Sequence, residues 1–166
     1  YRYVTGVQTC ALPIWAVRRP IPNPDKALFG IGLRTARELA VPGVAEALLA
    51  QVEATTPPRQ AAILATLSDR GDTCAAPAAQ KLVESPFPNV RAAALAALGA
   101  IGNEAQVPVL LKAAIAGGDQ APSAREALKR LKGDSVNAAL INAAKGGDAA
   151  QRAEAILALS TRQAAE

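Results

Sequence analysis

The sequence is poor in the residue types on which most enzyme chemistry depends. It contains no histidine, and only 3% of its residues are aromatic. The lack of histidine excludes histidine acid–base catalysis, Ser-His and Cys-His nucleophile pairs, and histidine-containing metal sites. No apolar run approaches the roughly 18 residues that a membrane-spanning helix needs. We therefore expect no catalytic residues, no metal site, no cofactor and no membrane span.

The beginning of the chain reads as foreign sequence. Residues 4–14 resemble, at all eleven positions, the translated reading frame of a common short-read sequencing adapter. We interpret residues 1–15 as a non-native, adapter-derived segment, and the proline-rich residues 16–24 as a stiff extended lead-in or the remains of a lost helix. On this interpretation the chain is a fragment whose true N-terminus, with any signal peptide, is missing, and the absence of methionine agrees with that. We expect truncation at the C-terminus as well.

The rest of the chain has a weak charge bias and one cysteine. The whole chain has 18 basic and 14 acidic residues, and removing Arg2 leaves 17 against 14, a net charge of +3. This excess is small and spread along the chain, which disfavours nucleic acid as a partner. Because Cys74 has no second natural cysteine to pair with, cysteine usage leaves the compartment open. Alanine, the strongest helix former, dominates the composition.

Two sequence markers recur with a period of about 30 residues and alternate along the chain. Apolar residues lie at helical spacing in short blocks, separated by breaks rich in Gly, Pro, Asp and Asn. This pattern predicts an all-α array of stacked helical hairpins. The first marker is a pair of large aliphatic residues, which we expect to form the core: Leu48-Leu49, Leu82-Val83, Leu110-Leu111 and Leu140-Ile141. The second is a basic residue that opens an alanine-rich helix: Lys26, Arg59, Arg91, Arg125 and Arg152.

The breaks divide residues 25–161 into one single helix and four helix pairs. Proline is tolerated in the first turn of a helix, and glycine often follows the last turn, so both mark the boundaries. Ser135, Asp148 and either Asp72 or Thr73 are the expected N-caps. The boundary residues are Pro42, Pro57, Pro88 and Pro122 at helix starts, and Gly102, Gly117, Gly133 and Gly146 at helix ends. The predicted helices are 25–39, then 43–53 with 58–68, 74–84 with 89–101, 104–116 with 122–132, and 135–145 with 149–161, followed by a tail at 162–166.

One stretch resembles a known repeat closely. Pro88-Asn89-Val90-Arg91, followed by alanine and leucine at helical spacing up to Gly102, is similar to the second helix of a HEAT repeat. Residues 107–111 are similar to the first helix of the next repeat. The resemblance covers residues 25–161 and is sharpest over 88–116, although Asn89 stands where the family often has Asp. It implies a right-handed α-solenoid of about four to five repeats, whose second helices line a concave face used for protein binding.

The resemblance also suggests a role for the second marker. Such basic residues resemble an inter-repeat ladder in the family, in which they pair with acids or backbone carbonyls of neighbouring turns. Candidate acids are Asp25, Asp119 and Asp148. The alternative is that Lys26, Arg59, Arg91, Arg125 and Arg152 form a ligand-binding stripe on the concave face. The densest basic cluster, residues 125–132, is interpreted as a solvated helix face, and Cys74 as a small structural residue.

Three functions follow from these features. The first is a protein-interaction scaffold, a non-catalytic repeat module of a larger bacterial protein with an unknown protein partner and other domains in the parent chain. Similar arrays are appended to secreted or periplasmic proteins, although the compartment here stays open. The second is an accessory module of an enzyme, resembling HEAT-type bilin lyases or attached to a catalytic or haem-binding domain. The third is a HEAT-like DNA-binding module, which the low net charge and the lack of natural Trp and Tyr disfavour.

Overall fold

The computed structural model describes residues 26–39, 41 and 43–163. Within these residues the chain forms nine α-helices and two short 3-10 helices, without any strand. This confirms the predicted all-α fold. The adapter-derived segment 1–15 and the lead-in 16–24 lie outside the described residues and remain predictions.

The helices form two layers. Each odd-numbered helix packs against the next, α1 on α3, α3 on α5, α5 on α7 and α7 on α9. Each even-numbered helix packs on the odd helix that follows it. We call these the odd-helix layer and the even-helix layer, and together they make the predicted solenoid. The helices are α1 Lys26–Glu38, α2 Val44–Val52, α3 Pro57–Arg70, α4 Ala76–Leu82, α5 Pro88–Ile101, α6 Val107–Ala116, α7 Ala121–Arg130, α8 Asp134–Gly146 and α9 Ala149–Gln163, with 3-10 turns Thr73–Ala75 before α4 and Glu104–Gln106 before α6.

Most helix starts follow the predicted proline rule. Pro57 and Pro88 are the first residues of α3 and α5, where the amide that proline lacks would have no helical partner. Asp148 caps α9, because its Oδ1 accepts from the amide of Gln151 at 2.8 Å. Pro42 lies outside the described residues.

Three predicted boundary roles are wrong. Ser135 lies inside α8, and its hydroxyl donates to the Glu104 carboxylate at 2.9 Å instead of capping the helix. The side chain of Asp72 makes no capping bond, because it accepts from Arg70 Nε at 2.6 Å. Gly133 precedes α8 with φ 109°, whereas α7 has already ended at Arg130.

The core consists of the leucines and small residues between the two layers. Leu48, Leu110 and Leu140 of the predicted aliphatic pairs are buried. The prediction that every pair member is core is wrong for Ile141, which is 41% exposed. Leu49 and Leu82 are only half-buried. Each pair therefore has at least one buried member, and both members are buried only in Leu110-Leu111.

The odd helices share one register. We align the odd helices on three leucines that are each 0% exposed, Leu64 of α3, Leu95 of α5 and Leu128 of α7. Their counterpart in α9 is Ile156, which is 58% exposed. This register identifies equivalent residues on the outer face of the odd-helix layer.

Candidate functional site

Two odd helices present alanine where a surface helix usually presents charged residues. On α5, Ala92 and Ala96 are exposed and Ala93 is half-buried, at spacings of three and four residues that place them on one face. The equivalent positions of α3 are also alanines, and the last of them is exposed. The outer face of a helix in a globular protein is normally charged or polar. We call these six residues the alanine shelf: Ala61, Ala62, Ala65, Ala92, Ala93 and Ala96.

The same positions on α7 carry charged side chains. Arg125, Glu126 and Lys129 are exposed there, and their counterparts on α9 include Glu154 and Leu157. Arg125 Nε donates to Glu154 Oε2 at 2.9 Å, which joins the two helices. A groove of about 260 Å³ lies between α7 and α9. The odd-helix face therefore changes from an uncharged surface on α3 and α5 to a charged, grooved one on α7 and α9.

The ion pair between Arg125 and Glu154 affects the ionisation of Glu154. The hydrogen bonds from Arg125 hold the pKa of Glu154 below its ordinary value, and partial burial opposes this effect. A similar effect occurs at the base of α6, where the pKa of Glu104 is lowered by its own backbone amide and by the hydroxyl of Ser135. Both carboxylates are thus held in the charged form by neighbouring donors.

Arg91 links two repeats. Its Nη1 donates to the carbonyls of Ser85 and Pro86 at 3.1 and 3.2 Å, at the end of the preceding even helix. Its Nη2 donates to Asp119 Oδ2 at 2.9 Å, in the turn between α6 and α7. The side chain is only 16% exposed. Arg91 therefore contacts both an acid and carbonyls of neighbouring turns.

Three of the other basic residues of the predicted ladder lie at other positions than Arg91 in this alignment. In the register of the buried leucines, Arg125 lies one residue beyond the Arg91 position, which Ala124 fills in α7. Arg59 lies one residue before it and stacks on the Phe29 ring, 4.8 Å from its centroid. Lys26 is exposed in the first turn of α1.

Arg152 of α9 is the true equivalent of Arg91. Its Nη1 donates to the carbonyl of Gly147 at 3.0 Å, as that of Arg91 does to the preceding turn. Of the candidate acids, Asp119 pairs with Arg91, Asp148 caps α9, and Asp25 lies outside the described residues. Arg91 and Arg152 thus contact groups of neighbouring turns, and a ladder or concave-face stripe of all five residues stays a prediction.

Two arginines that the sequence did not single out make the longest-range polar contacts. Arg70, at the end of α3, donates to the carbonyls of Ala36 and Leu39 at the end of α1. Arg162, at the end of α9, donates to the carbonyl of Leu128 at 2.9 Å and to Asn137 Oδ1 at 2.8 Å. Each satisfies carbonyls that the preceding odd helix leaves without helical partners. Arg162 lies in α9 and not in a C-terminal tail. The sequence feature that could have identified both arginines is their shared position in the last turn of an odd helix.

Cys74 has the environment of an inert thiol. It is exposed in the 3-10 turn before α4, and partial burial of the thiol, followed by the charges of Asp72 and Glu46, raises its pKa. A reactive cysteine needs the opposite shift. The cavity beside it, about 550 Å³, is bordered by the ion pairs Arg37–Asp69 and Arg70–Asp72. These paired charges give no sign of a ligand.

The described residues contain no cluster of His, Cys, Asp and Glu that could hold a metal ion. None of the helices in the same residues is long and apolar enough to cross a membrane.

The comparisons with known proteins identify the repeat. A family model described as HEAT repeats matches residues 45–129, just over half of the 166-residue chain. The match runs from α2 through α7 and includes the whole alanine shelf and Arg91. No curated protein matches the chain.

Proposed function

Because this chain belongs to the HEAT repeat family, whose members generally serve as protein-interaction scaffolds, we propose that it is a protein-binding module that uses its odd-helix face. In this proposal it is a non-catalytic repeat module of a larger bacterial protein. The partner lies across α3 and α5 and reaches the charged surface of α7.

The alanine shelf is the observation that supports this surface most strongly. The single charged residue of α5 is Arg91, and its guanidinium is engaged by Asp119 and by backbone carbonyls. Within the described residues, the outer side of α5 is therefore apolar and is exposed at Ala92 and Ala96. Contiguous exposed apolar surface marks interaction sites in soluble proteins. Short alanine side chains also let a partner's backbone or larger side chains come close to the helix axis.

The neighbouring charges would give the interaction its orientation. Glu126 and Lys129 are exposed on α7 at the positions that correspond to Ala93 and Ala96. Charged groups at the rim of an interface contribute more to specificity and to the association rate than to affinity. We therefore expect the shelf to provide most of the affinity and α7 to select the partner.

A substitution on the shelf tests this function against a matched control. Ala96→Glu puts a charge on the shelf, and Ala138→Glu puts the same charge on an exposed position of α8 in the even-helix layer. Both variants should fold with stability within about 0.5 kcal/mol of the parent, because both sites are exposed. Bacterial lysate is passed over each immobilised chain, and the retained proteins are identified by mass spectrometry.

We expect a protein that the parent and Ala138→Glu retain and Ala96→Glu loses. Equal retention by all three chains would show that the shelf is not the binding surface. Binding of duplex DNA at low salt, falling steeply as salt is added, would support a DNA-binding module instead.

A further inference from the structure

A cavity of about 340 Å³ lies between the end of α4 and helix α6, in the interior of the array. This volume is at the lower end of the range for ligand cavities, roughly 300–1,000 Å³. Val83, Val109 and Ala113 give it an apolar wall, and two of these residues are at most 5% exposed. Described helix pairs lie on both sides of it, α2 with α3 before and α8 with α9 after. We call it the inter-helix cavity.

Arg91 lines the inter-helix cavity with an N–H group that has no acceptor. Its Nη1 donates to the carbonyls of Ser85 and Pro86, and its Nη2 donates to Asp119. Its Nε is buried and has no hydrogen-bond partner among the described residues. Buried donors without acceptors are rare in folded proteins and can mark a place for a water, an ion or a ligand.

Gln120 adds a carboxamide that the fold does not use. It is the half-buried residue that precedes α7, and its backbone carbonyl accepts from the amide of Ala124 at 2.9 Å. Its side chain makes no capping bond to the helix. Because the carboxamide lines the cavity, its N–H groups can donate to a molecule bound there.

An exposed ion pair joins α6 to the turn after α4 at the same cavity. Lys112 Nζ lies 3.1 Å from Glu84 Oε1, each side chain is 78% exposed, and both residues line the cavity. The preceding repeat has a similar pair, Lys81 and Glu53, at 3.9 Å, which does not line it. Exposed ion pairs contribute little to stability, so another carboxylate can replace Glu84 at low cost. An ammonium group also has three donors, of which Glu84 takes one.

The polar groups of the inter-helix cavity favour an acceptor that carries negative charge. Among the described residues that line it, Arg91 and Lys112 are cationic and Glu84 is the single acid. Asp119, which neutralises Arg91, is not one of the lining residues. Donors of Arg91, Lys112 and Gln120 therefore outnumber the acceptors. Hydrogen bonds between such donors and a carboxylate are stronger than those to a neutral group when one partner is a cation.

We propose that the inter-helix cavity binds a small apolar carboxylate. The aliphatic or aromatic body of the ligand packs on the apolar wall, and its carboxylate accepts from Lys112 Nζ and the Gln120 carboxamide in place of Glu84. Such a group belongs either to a free organic acid or to the carboxyl terminus of a protein that ends in an apolar residue. No residue of the alanine shelf lines the cavity, so this site does not depend on the proposed function.

Nuclear magnetic resonance of the ¹⁵N-labelled full chain tests the site with defined probes. The probes are phenylpropanoate, its uncharged amide, and a short neutral peptide that ends in phenylalanine with either a free or an amidated terminus. We expect phenylpropanoate to cause saturable shifts of the amide signals of Val109, Ala113 and Gln120, and the amide to bind at least about fivefold more weakly. Equal binding of the free-terminus peptide would assign the site to a protein terminus, and binding of phenylpropanoate alone would assign it to a free acid.

Matched substitutions in the two ion pairs test the charge requirement. Lys112→Ala should weaken phenylpropanoate binding by about threefold to tenfold, whereas Lys81→Ala should leave it unchanged. Glu84→Gln should strengthen binding by about threefold, because it removes the carboxylate that competes for Lys112, and Glu53→Gln should have no effect. All four side chains are mostly exposed, so each variant should fold like the parent.

Three results would overturn the proposal. The first is the absence of saturable shifts with either carboxylate probe, and the second is equal binding of phenylpropanoate and its amide. The third is a weaker interaction in Glu84→Gln, or equal effects of Lys112→Ala and Lys81→Ala, since the carboxylate would then not replace Glu84 at Lys112. None of these results bears on the alanine shelf, which the Ala96→Glu capture experiment tests separately.

Discussion

Helices α5 and α9 have the same register and similar sequences, yet they lie in different environments. Arg91 and Arg152 are equivalent, as are Leu95 and Ile156, but Leu95 is fully buried and Ile156 is mostly exposed. Helix α5 packs between α3 and α7, whereas α9 has its odd-layer contact on the α7 side. In a repeat array each unit is covered only by its neighbours. The hydrophobic pattern thus predicts which residues can be buried. The position of each helix in the stack determines which of these residues are actually buried.

The largest expected difference between the two helices comes from replacing a buried leucine of α5, and the equivalent isoleucine of α9, by alanine. Leu95→Ala, like Leu98→Ala, should cost about 2–5 kcal/mol, because it removes a fully buried side chain and leaves a cavity. Ile156→Ala should change stability by no more than about 0.5 kcal/mol, because the side chain is already largely in water. Urea denaturation of both variants measures the difference. Similar losses in the two variants would contradict the placement of either helix.

The next effect reverses the comparison, because the last turn of α9 makes a part-buried polar contact through Arg162, whereas α5 has Ile101 at that position. Arg162→Ala should destabilise the chain by about 1.5–3 kcal/mol, since hydrogen bonds to a charged donor are lost and carbonyls at the end of α7 lose their partners. Arg152→Ala, on the exposed side of the same helix, is the control and should be nearly neutral. Thermal unfolding followed by circular dichroism compares them. A neutral Arg162→Ala would show that the contact to Leu128 does not persist in solution.

A smaller effect is expected where the two helices differ in side-chain size. Gly99→Ala places a Cβ against the backbone of α7 and should cost about 1–3 kcal/mol through overpacking. Ser160→Ala at the equivalent position of α9 should be neutral or slightly stabilising, because alanine is the better helix former. Chemical denaturation of the two variants is sufficient. Stabilisation by Gly99→Ala would mean that α5 and α7 are further apart than described.

The smallest effect is the pH dependence of the link between α7 and α9. Because Arg125 lowers the pKa of Glu154 in the folded chain, the pair contributes stability above the unfolded-state pKa of about 4.3. That contribution is lost as the pH falls through the folded pKa. Melting temperatures of the parent and Glu154→Gln, measured between neutral and acidic pH, should therefore converge on acidification. Arg125→Ala should show the same convergence, and a gap that stays constant with pH would rule out this linkage.

The sequence predicted the fold well because its signals are local. Prolines at helix starts, glycines in the turns and the 30-residue recurrence located every described helix, and most boundaries agree within two residues. Ile141 was assigned to the core wrongly because its pattern is that of Leu111, and only the absence of a covering neighbour in the described residues distinguishes them.

The site was harder to predict, because a helix turns by about 100° per residue. A spacing of 33 or 34 residues looks regular in sequence, yet Arg91 pairs with Asp119 of a turn, whereas Arg125 pairs with Glu154 of the neighbouring helix. The contacts of Arg70 and Arg162 span more than 30 residues, and nothing in the local sequence indicates which carbonyls they reach.

Amide hydrogen exchange, resolved helix by helix, tests the central claim that neighbours in the stack determine stability. We expect the slowest exchange in α5, which is packed on both sides, and the fastest exchange among the later odd helices in α9. Opening free energies in repeat arrays should fall toward a helix that is covered on one side only. Protection in α9 equal to or greater than that in α5 would contradict the account, because exposed Ile156 and buried Leu95 would then lie in helices of equal stability.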